Sequence, residues 1–342
     1  MVFLGIDIGG TKRVVVVGNH DGKPLIHRRR PMENSGDWRA DLDALIEDGR
    51  RLLAEWEKQT GEGLAAVGAS VPGPVDTERG ILLNPPNLPS WHQAPIGAVL
   101  REAFGVEVRI ENDANAAALA EHAYGAGRGV KDMVYLTMST GVGAGVISDG
   151  RLLKGAYGGA GEAGHMPVEF PGIACRCGLH GCLEAYVGGN AWQAHLRKVV
   201  PEDSQVLSLA GGRRDAIRPE HLVSAAREGD RFASEEFERW LDYLARGIVP
   251  WVMALEPERI VLGTIATAAG RSLCFDPLRE RVAAALWPHQ ADRLSIVPAE
   301  LGDELPQRAG LAVALSGTSM EDSALLASSA TQTRMGSMLE PD

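Results

Sequence analysis

One imidazole and three thiols crowd a short stretch of this chain: His165 is followed by Cys175, Cys177 and Cys182. Three thiolates and one imidazole complete a closed tetrahedral zinc set, and a closed set fixes a loop rather than catalysing, because no position is left for water. Of the four cysteines only Cys274 stands apart. In a reducing compartment such clustering signals a metal rather than disulfides, and the one-residue spacer between Cys175 and Cys177 would strain a mutual bridge. His180, inside the tight Cys177–Cys182 loop, is an alternative imidazole. Glu162 precedes His165 and Glu184 follows Cys182, so a metal here would draw two carboxylates toward one loop region, where they could bond the hydroxyls of a ligand.

Two glycine turns suggest a second chemistry. Phosphoryl transfer needs backbone amides that cradle phosphates, a carboxylate that handles the cation, and a base. In Asp7-Ile8-Gly9-Gly10-Thr11-Lys12 the absence of Cβ atoms lets N–H groups approach phosphate oxygens, and Thr11 adds a hydroxyl. Asp7, at a strand end, could orient hydrated magnesium. Alone, this motif reads equally well as a tight hairpin. Thr140-Gly141-Val142-Gly143-Ala144-Gly145 offers a matching cradle much later. Neither turn has P-loop spacing, and neither is a Gly-x-Gly-x-x-Gly opening a helix, which argues against nicotinamide chemistry. Between them Glu111-Asn112-Asp113-Ala114-Asn115 crosses from a strand into an alanine-rich helix. Asp113 reads either as a plain helix N-cap or as a general base for an attacking hydroxyl.

These residues need elements to position them. Apolar runs at Val2 to Ile8, Val14 to Val17 and Pro24 to Arg28 predict an antiparallel meander; Leu42, Leu45, Ile46, Leu52, Leu53 and Trp56 predict a helix, and Leu64 to Val71 a further strand. A strand over Val106 to Ile110 and a helix from Ala114 to Tyr124 follow. The plan then restarts with strands Val134 to Met138, Ala144 to Ser148 and Arg151 to Lys154. The reading is a duplicated β-β-β-α-β-α-β α/β plan, with a ligand clamped between the two turns in an interdomain cleft. Phe237, Trp240, Leu241, Leu244, Ile248 and Trp251 predict a core helix with Ser234 as its N-cap, followed by strands Arg259 to Leu262 and Leu294 to Val297. A small domain over 1–113, completed by a helix near 305–316, and a larger one over 114–304 carrying the zinc loop are expected. Residues 317–342, rich in Ser, Thr, Ala and Met, are expected to be disordered.

Composition narrows the partners. At 342 residues, two domains are the natural prior. A net charge of -11 opposes nucleic-acid binding, which needs concentrated Lys and Arg. The basic run His27 to Arg30 reads as a solvated strand end. No apolar stretch approaches the ~20 residues of a membrane span and no secretory leader is apparent, so a cytoplasmic location is expected.

Together these motifs resemble the ROK family of bacterial sugar kinases and repressors, most closely its glucokinases. The resemblance covers residues 3 to 315 and rests on Gly161-Glu162-Ala163-Gly164-His165, the Cys175–Glu184 run, Asp7 to Lys12, Val71-Pro72-Gly73-Pro74-Val75-Asp76, and Glu111 to Glu121. It implies an actin-like, ribonuclease-H-like two-domain ATPase fold. By the same resemblance, ATP with magnesium would lie between the Asp7, Gly9, Gly10, Thr11, Lys12 turn and the Thr140, Gly141, Val142, Gly143 turn, with Gly263 near the adenosine. Asp113 becomes the catalytic base. Gly73, Asn87, Asn112, Asp113, Glu162, His165 and Glu184 would hold the sugar, and His165 would also bind zinc. Glucose leads as substrate, with N-acetylmannosamine, N-acetylglucosamine, mannose, fructose or allose behind it, and a non-catalytic sugar sensor is the other reading. A ROK repressor would need a DNA-binding helix-turn-helix ahead of residue 7, where the sequence offers no room. Family members are commonly dimers, sometimes tetramers. The family's paired glycine after the late strand is Gly263-Thr264 here.

Overall fold

The computed structural model describes residues 1–317. Apart from Gly317, the expected tail over 317–342 lies outside them. The described residues divide into a first unit, Met1–Tyr124 with 301–317, and a second, Gly125–Glu300.

The first unit runs β1 (Val2–Ile8), β2 (Lys12–Gly18), β3 (Pro24–Pro31), α1 (Trp38–Thr60) and β4 (Leu64–Val71). The short pair β5 (Val75–Asp76) and β6 (Ile81–Leu82), then α2 (Ile96–Phe104), β7 (Glu107–Asn112) and α3 (Asp113–Tyr124), complete its N-terminal part. The second unit opens with β8 (Met133–Met138), β9 (Val142–Ser148) and β10 (Arg151–Leu152). A helical block follows: α4 (Glu184–Val187), α5 (Gly189–Val199), α6 (Gln205–Leu209), α7 (Pro219–Arg227) and α8 (Arg231–Leu255). The unit closes with β11 (Arg259–Thr264), α9 (Ile265–Gly270), α10 (Asp276–Ala284), α11 (Pro288–Ala291) and β12 (Ser295–Pro298), and α12 (Leu305–Leu315) returns to the first unit.

The two sheets have one topology. Their orders are β3-β2-β1-β4-β7 and β10-β9-β8-β11-β12, in each case an antiparallel meander extended by two parallel strands. The duplicated plan expected from the sequence is therefore present. Central β1 reads as a nearly continuous apolar run because helices cover both its faces: Leu4 and Ile6 pack with Leu42, Leu45 and Ile46 of α1, while Phe3 packs with Leu311 and Ala314 of α12.

Glycines let α12 lie directly on the sheet. A Cβ on Gly68 of β4 would stand 2.1 Å from Ala314 N, one on Gly5 of β1 2.7 Å from Leu311 N, and one on Gly310 2.6 Å from Ile6 N. Because these obstacles are backbone, they cannot rotate away. Gly68→Ala should destabilise the protein by about 2–3 kcal/mol, read as a lower urea midpoint; an unchanged midpoint would show that α12 moves off without loss.

Two local features differ from expectation. Helix α3 stays with the first unit instead of opening the second from residue 114, because its Ala116 and Leu119 pack on Ala309 and Val313 of α12. Helix α8 begins at Arg231, and its N-cap is Asp230, whose side chain accepts from Ala233 N at 2.7 Å, while Ser234 Oγ donates back to the Asp230 carbonyl. In the His27–Arg30 run, His27, Arg29 and Arg30 are exposed, as expected of a solvated strand end, while Arg28 is half-buried, and Arg28 and Arg30 both reach Asp48, which is buried on α1. Among the described residues no helix is long and apolar enough to cross a membrane.

Candidate active site

In the first unit the parallel strands β1, β4 and β7 end together. Asp7 lies in register with Ser70, and Ser70 with Glu111, so the carboxyl ends of three strands gather Asp7, the Gly73 turn and the β7–α3 junction, where open α/β sheets commonly place ligands. Ser70 Oγ donates to Asp7 Oδ1 at 2.7 Å. Burial pushes the Asp7 carboxyl up from 3.8 to about 7, Ser70 opposing and the neighbouring Asp113 charge adding to the rise, with Arg29 a weak counter-influence.

At the β7–α3 junction the helix cap is Asn112, whose Oδ1 accepts from Asn115 N at 2.8 Å. Asp113, the first helical residue, is exposed and accepts from the adjacent Ala114 N at 2.9 Å. Glu111 is buried and accepts from Asn115 Nδ2 and Asn112 N, which locks the turn that presents Asp113. Gly73 follows β4, and a Cβ there would stand 4.0 Å from Asn112 Cβ. The β1–β2 turn is closed by Gly9 N donating to the Lys12 carbonyl at 2.9 Å. Asn87 lies against it, since a Cβ on Gly10 would be 3.0 Å from Asn87 Cβ. Thr11 and Lys12 are exposed.

In the second unit the Thr140–Gly143 turn is gripped from α4 and α5. Gly189 N donates to the Ser139 carbonyl at 2.8 Å and Asn190 N to the Thr140 carbonyl at 2.9 Å. Glu184 Oε2 accepts from Val142 N at 2.9 Å, and a Cβ on Gly141 would strike that same carboxylate oxygen. The Glu184 side chain is thus engaged with the glycine turn, a contact that no spacing in the sequence announces. Glu162 immediately precedes a 3₁₀ turn, Ala163–His165, whose last residue is His165. Gly263 is buried near Tyr135, and Thr264 pairs with Met138 beside the turn. Thr264 adopts φ +50°, a left-handed conformation that favours glycine. Its hydroxyl donates to the Met138 carbonyl and lies 3.3 Å from Thr137 Oγ1, contacts that offset the strain glycine would avoid.

The metal-type donors come together. Cys177 and Cys182 Sγ are 3.7 Å apart, Cys175 Sγ is 3.8 Å from His165 Nδ1, and all four ligand atoms lie within 4.8 Å of one another. Tetrahedral zinc with Zn–S bonds of ~2.3 Å would separate its sulfurs by ~3.8 Å, so the donor set fits. Among the described residues, the imidazole that falls within this group of donor atoms is that of His165, not His180. Burial raises the Cys175 thiol and pushes Cys182 up to about 12, whereas the Leu179 N–H lowers Cys177; metal binding would therefore release protons.

The Asp7 shift gives a testable pH dependence. Its folded pKa lies above the unfolded value of 3.8, so the folded state holds a proton that the unfolded chain has released, and stability falls as pH rises between the two. About three units at ~1.4 kcal/mol each set an upper limit of about 4 kcal/mol. In magnesium-free buffer Asp7→Asn should gain stability over the parent at about pH 8 and not at about pH 4, read by urea unfolding. Equal gains at both would overturn the assignment to Asp7 ionisation.

Two sheets of one order, each with a glycine turn after its first strand, define the actin-like ATPase class. The chain belongs to the ROK family, whose model matches residues 3–315. It is 38% identical over 309 residues to the glucokinase of Thermotoga maritima, covering 88% of this chain and 93% of that protein. It is 30% identical over 300 residues to the xylose repressor of Caldicellulosiruptor bescii, covering 88% of this chain and 74% of the repressor. A solved ROK family glucokinase from Streptomyces griseus, in complex with glucose and AMPPNP, superposes with a TM-score of 0.75 at 29% identity, covering 93% of this chain and 100% of that one.

Proposed function

We propose that this ROK protein is a sugar kinase that transfers the γ-phosphoryl group of ATP to the 6-hydroxyl of an aldohexose, glucose first. The observation that carries the reading is Asp113: exposed, beside Asp7 at the carboxyl end of three parallel strands, in a junction whose cap is provided by Asn112 rather than by Asp113 itself. Asp113 accepts the proton of the attacking hydroxyl while that oxygen bonds to phosphorus and the bond to the ADP oxygen breaks. Asp7 orients hydrated magnesium, whose charge would offset the developing negative charge on phosphate. Gly9, Gly10, Thr11 and Lys12, with Thr140, Gly141, Val142 and Gly143, serve the nucleotide phosphates, and Gly263 the adenosine. Gly73, Asn87 and Asn112 in the first unit, and Glu162, His165 and Glu184 in the second, hold sugar hydroxyls. Zinc held by His165, Cys175, Cys177 and Cys182 fixes the loop that carries Glu162. A cytoplasmic homodimer is the expected working form.

The test is a coupled ADP-release assay with magnesium-ATP across glucose, mannose, fructose, allose, N-acetylglucosamine and N-acetylmannosamine. Turnover on glucose above the others supports the reading, and preference for another sugar corrects the substrate alone. Silence on all six, with sugar binding intact by thermal shift, would favour the sugar-sensor reading to which the repressor relative points.

A further inference from the structure

The basic end of β3 faces a third arginine. Arg30 pairs in register with Arg13 of β2, and Arg28 with Val15, so like charges stand directly across a strand pair, which is destabilising by itself. All three guanidinium groups converge on Asp48 of α1. Arg28 Nη1 donates to Asp48 Oδ1 at 3.0 Å, Arg30 Nε lies 3.3 Å from Oδ2, and Arg13 Nη2 lies 3.7 Å from the same oxygen. The second carboxylate, Glu33, is 3.6 Å from Arg13 Nη2 and largely exposed. Three positive charges thus face two negative ones, only one of them buried. Arg13 is only 3% exposed, yet its Nε and Nη1 have no hydrogen-bond partner among the described residues. Dehydrated charged donors without acceptors are strongly unfavourable.

We propose that Arg13, Arg28 and Arg30 form a binding site for a phosphate-bearing small molecule, separate from the glycine turns. A tetrahedral oxyanion supplies what the protein withholds: several acceptor oxygens at once, matched to guanidinium forks, and charge to balance the excess. Buried Arg13 is the preorganised part, while Arg28 and Arg30, at 32% and 45% side-chain exposure, form the solvent side. The ligand competes with Glu33 for Arg13. Glu33 lies between Met32, whose N–H donates to the Thr11 carbonyl at 2.9 Å, and Asn34, whose Nδ2 donates to the Gly10 carbonyl at 2.9 Å. Occupancy therefore acts on the segment that braces the first glycine turn.

Thermal shift on the full chain at constant ionic strength tests this, with inorganic phosphate and a hexose 6-phosphate as separate probes and chloride as the balancing salt. The parent should show a saturable rise in Tm. Arg30→Gln should weaken the apparent affinity at least about tenfold, as loss of a charged hydrogen bond does, whereas Glu33→Gln should tighten it by up to about fivefold by removing the competitor. Arg28→Gln repeats the first arm should Arg30→Gln fold poorly. Variant-sensitive binding of hexose 6-phosphate alone identifies a phosphorylated sugar as the ligand, and of inorganic phosphate alone the free anion. Absence of a saturable shift with either probe, or affinities unmoved in these variants, would overturn the site. Because the readout is binding rather than turnover, the result is independent of the kinase reading.

Discussion

Asp113→Asn should lose on the order of 10²- to 10⁴-fold in kcat while sugar affinity stays within a few-fold of the parent. The substitution keeps the shape and removes only the proposed proton acceptor. The fold protects this experiment, since Asn112 caps α3 and Glu111 braces the turn through Asn115, so the variant retains the structure that presents position 113. It should also lower the Asp7 pKa, because the Asp113 charge is one of the influences raising it. Single-turnover kinetics with sugar binding measured in parallel separates the outcomes. Unchanged kcat would remove Asp113 from the mechanism; lost sugar affinity with kcat intact would reassign it to sugar binding.

Cys177→Ser should lower zinc affinity by at least about 100-fold, beyond the 10- to 100-fold typical of residues that merely support ligands, and should raise the sugar KM more than it lowers kcat. Cys177 is the exposed member of the cluster, so its loss opens no cavity in a core. On the zinc reading proposed above, its effect comes through the metal, and through the metal to the loop carrying Glu162 and His165. Cys274 gives the control: it is buried among the residues of the second unit's core and far along the chain from the cluster, so Cys274→Ala should retain zinc. Metal content by atomic absorption, thermal unfolding with and without chelator, and sugar KM decide the matter. Full zinc in Cys177→Ser would dismantle the ligand set, and zinc loss with an unchanged sugar KM would confine the metal to stability.

The Glu184 and Arg13 sites show where reading the sequence stopped. The sequence marks Glu184 only by its closeness to the cysteines, whereas its contact with Val142 N joins residues 42 positions apart, beside the bond from Gly189 N to the Ser139 carbonyl. Ser70 carried no motif at all; only the parallel register of β1 and β4 sets it beside Asp7. Ser234 looked like a cap because serine before two glutamates is a common helix start, yet Asp230 stands one turn earlier and its carboxylate already takes Ala233 N.

The sequence alone determined what is written in local spacing. Runs of β-branched and aliphatic residues marked every strand of the two main sheets, the repeated strand–turn–strand order exposed the duplication, and ligand-like spacing gathered His165 with three cysteines, because each is governed by neighbours within a few residues. Only the tertiary structure decided which charges meet across strands and helices. Arg13, Arg28, Arg30 and Asp48 come from three elements, and their convergence follows from strand register and from the side of the sheet that α1 covers. A single residue's slip in that register would turn the arginines to the opposite face, and no local pattern in the chain records which register is taken.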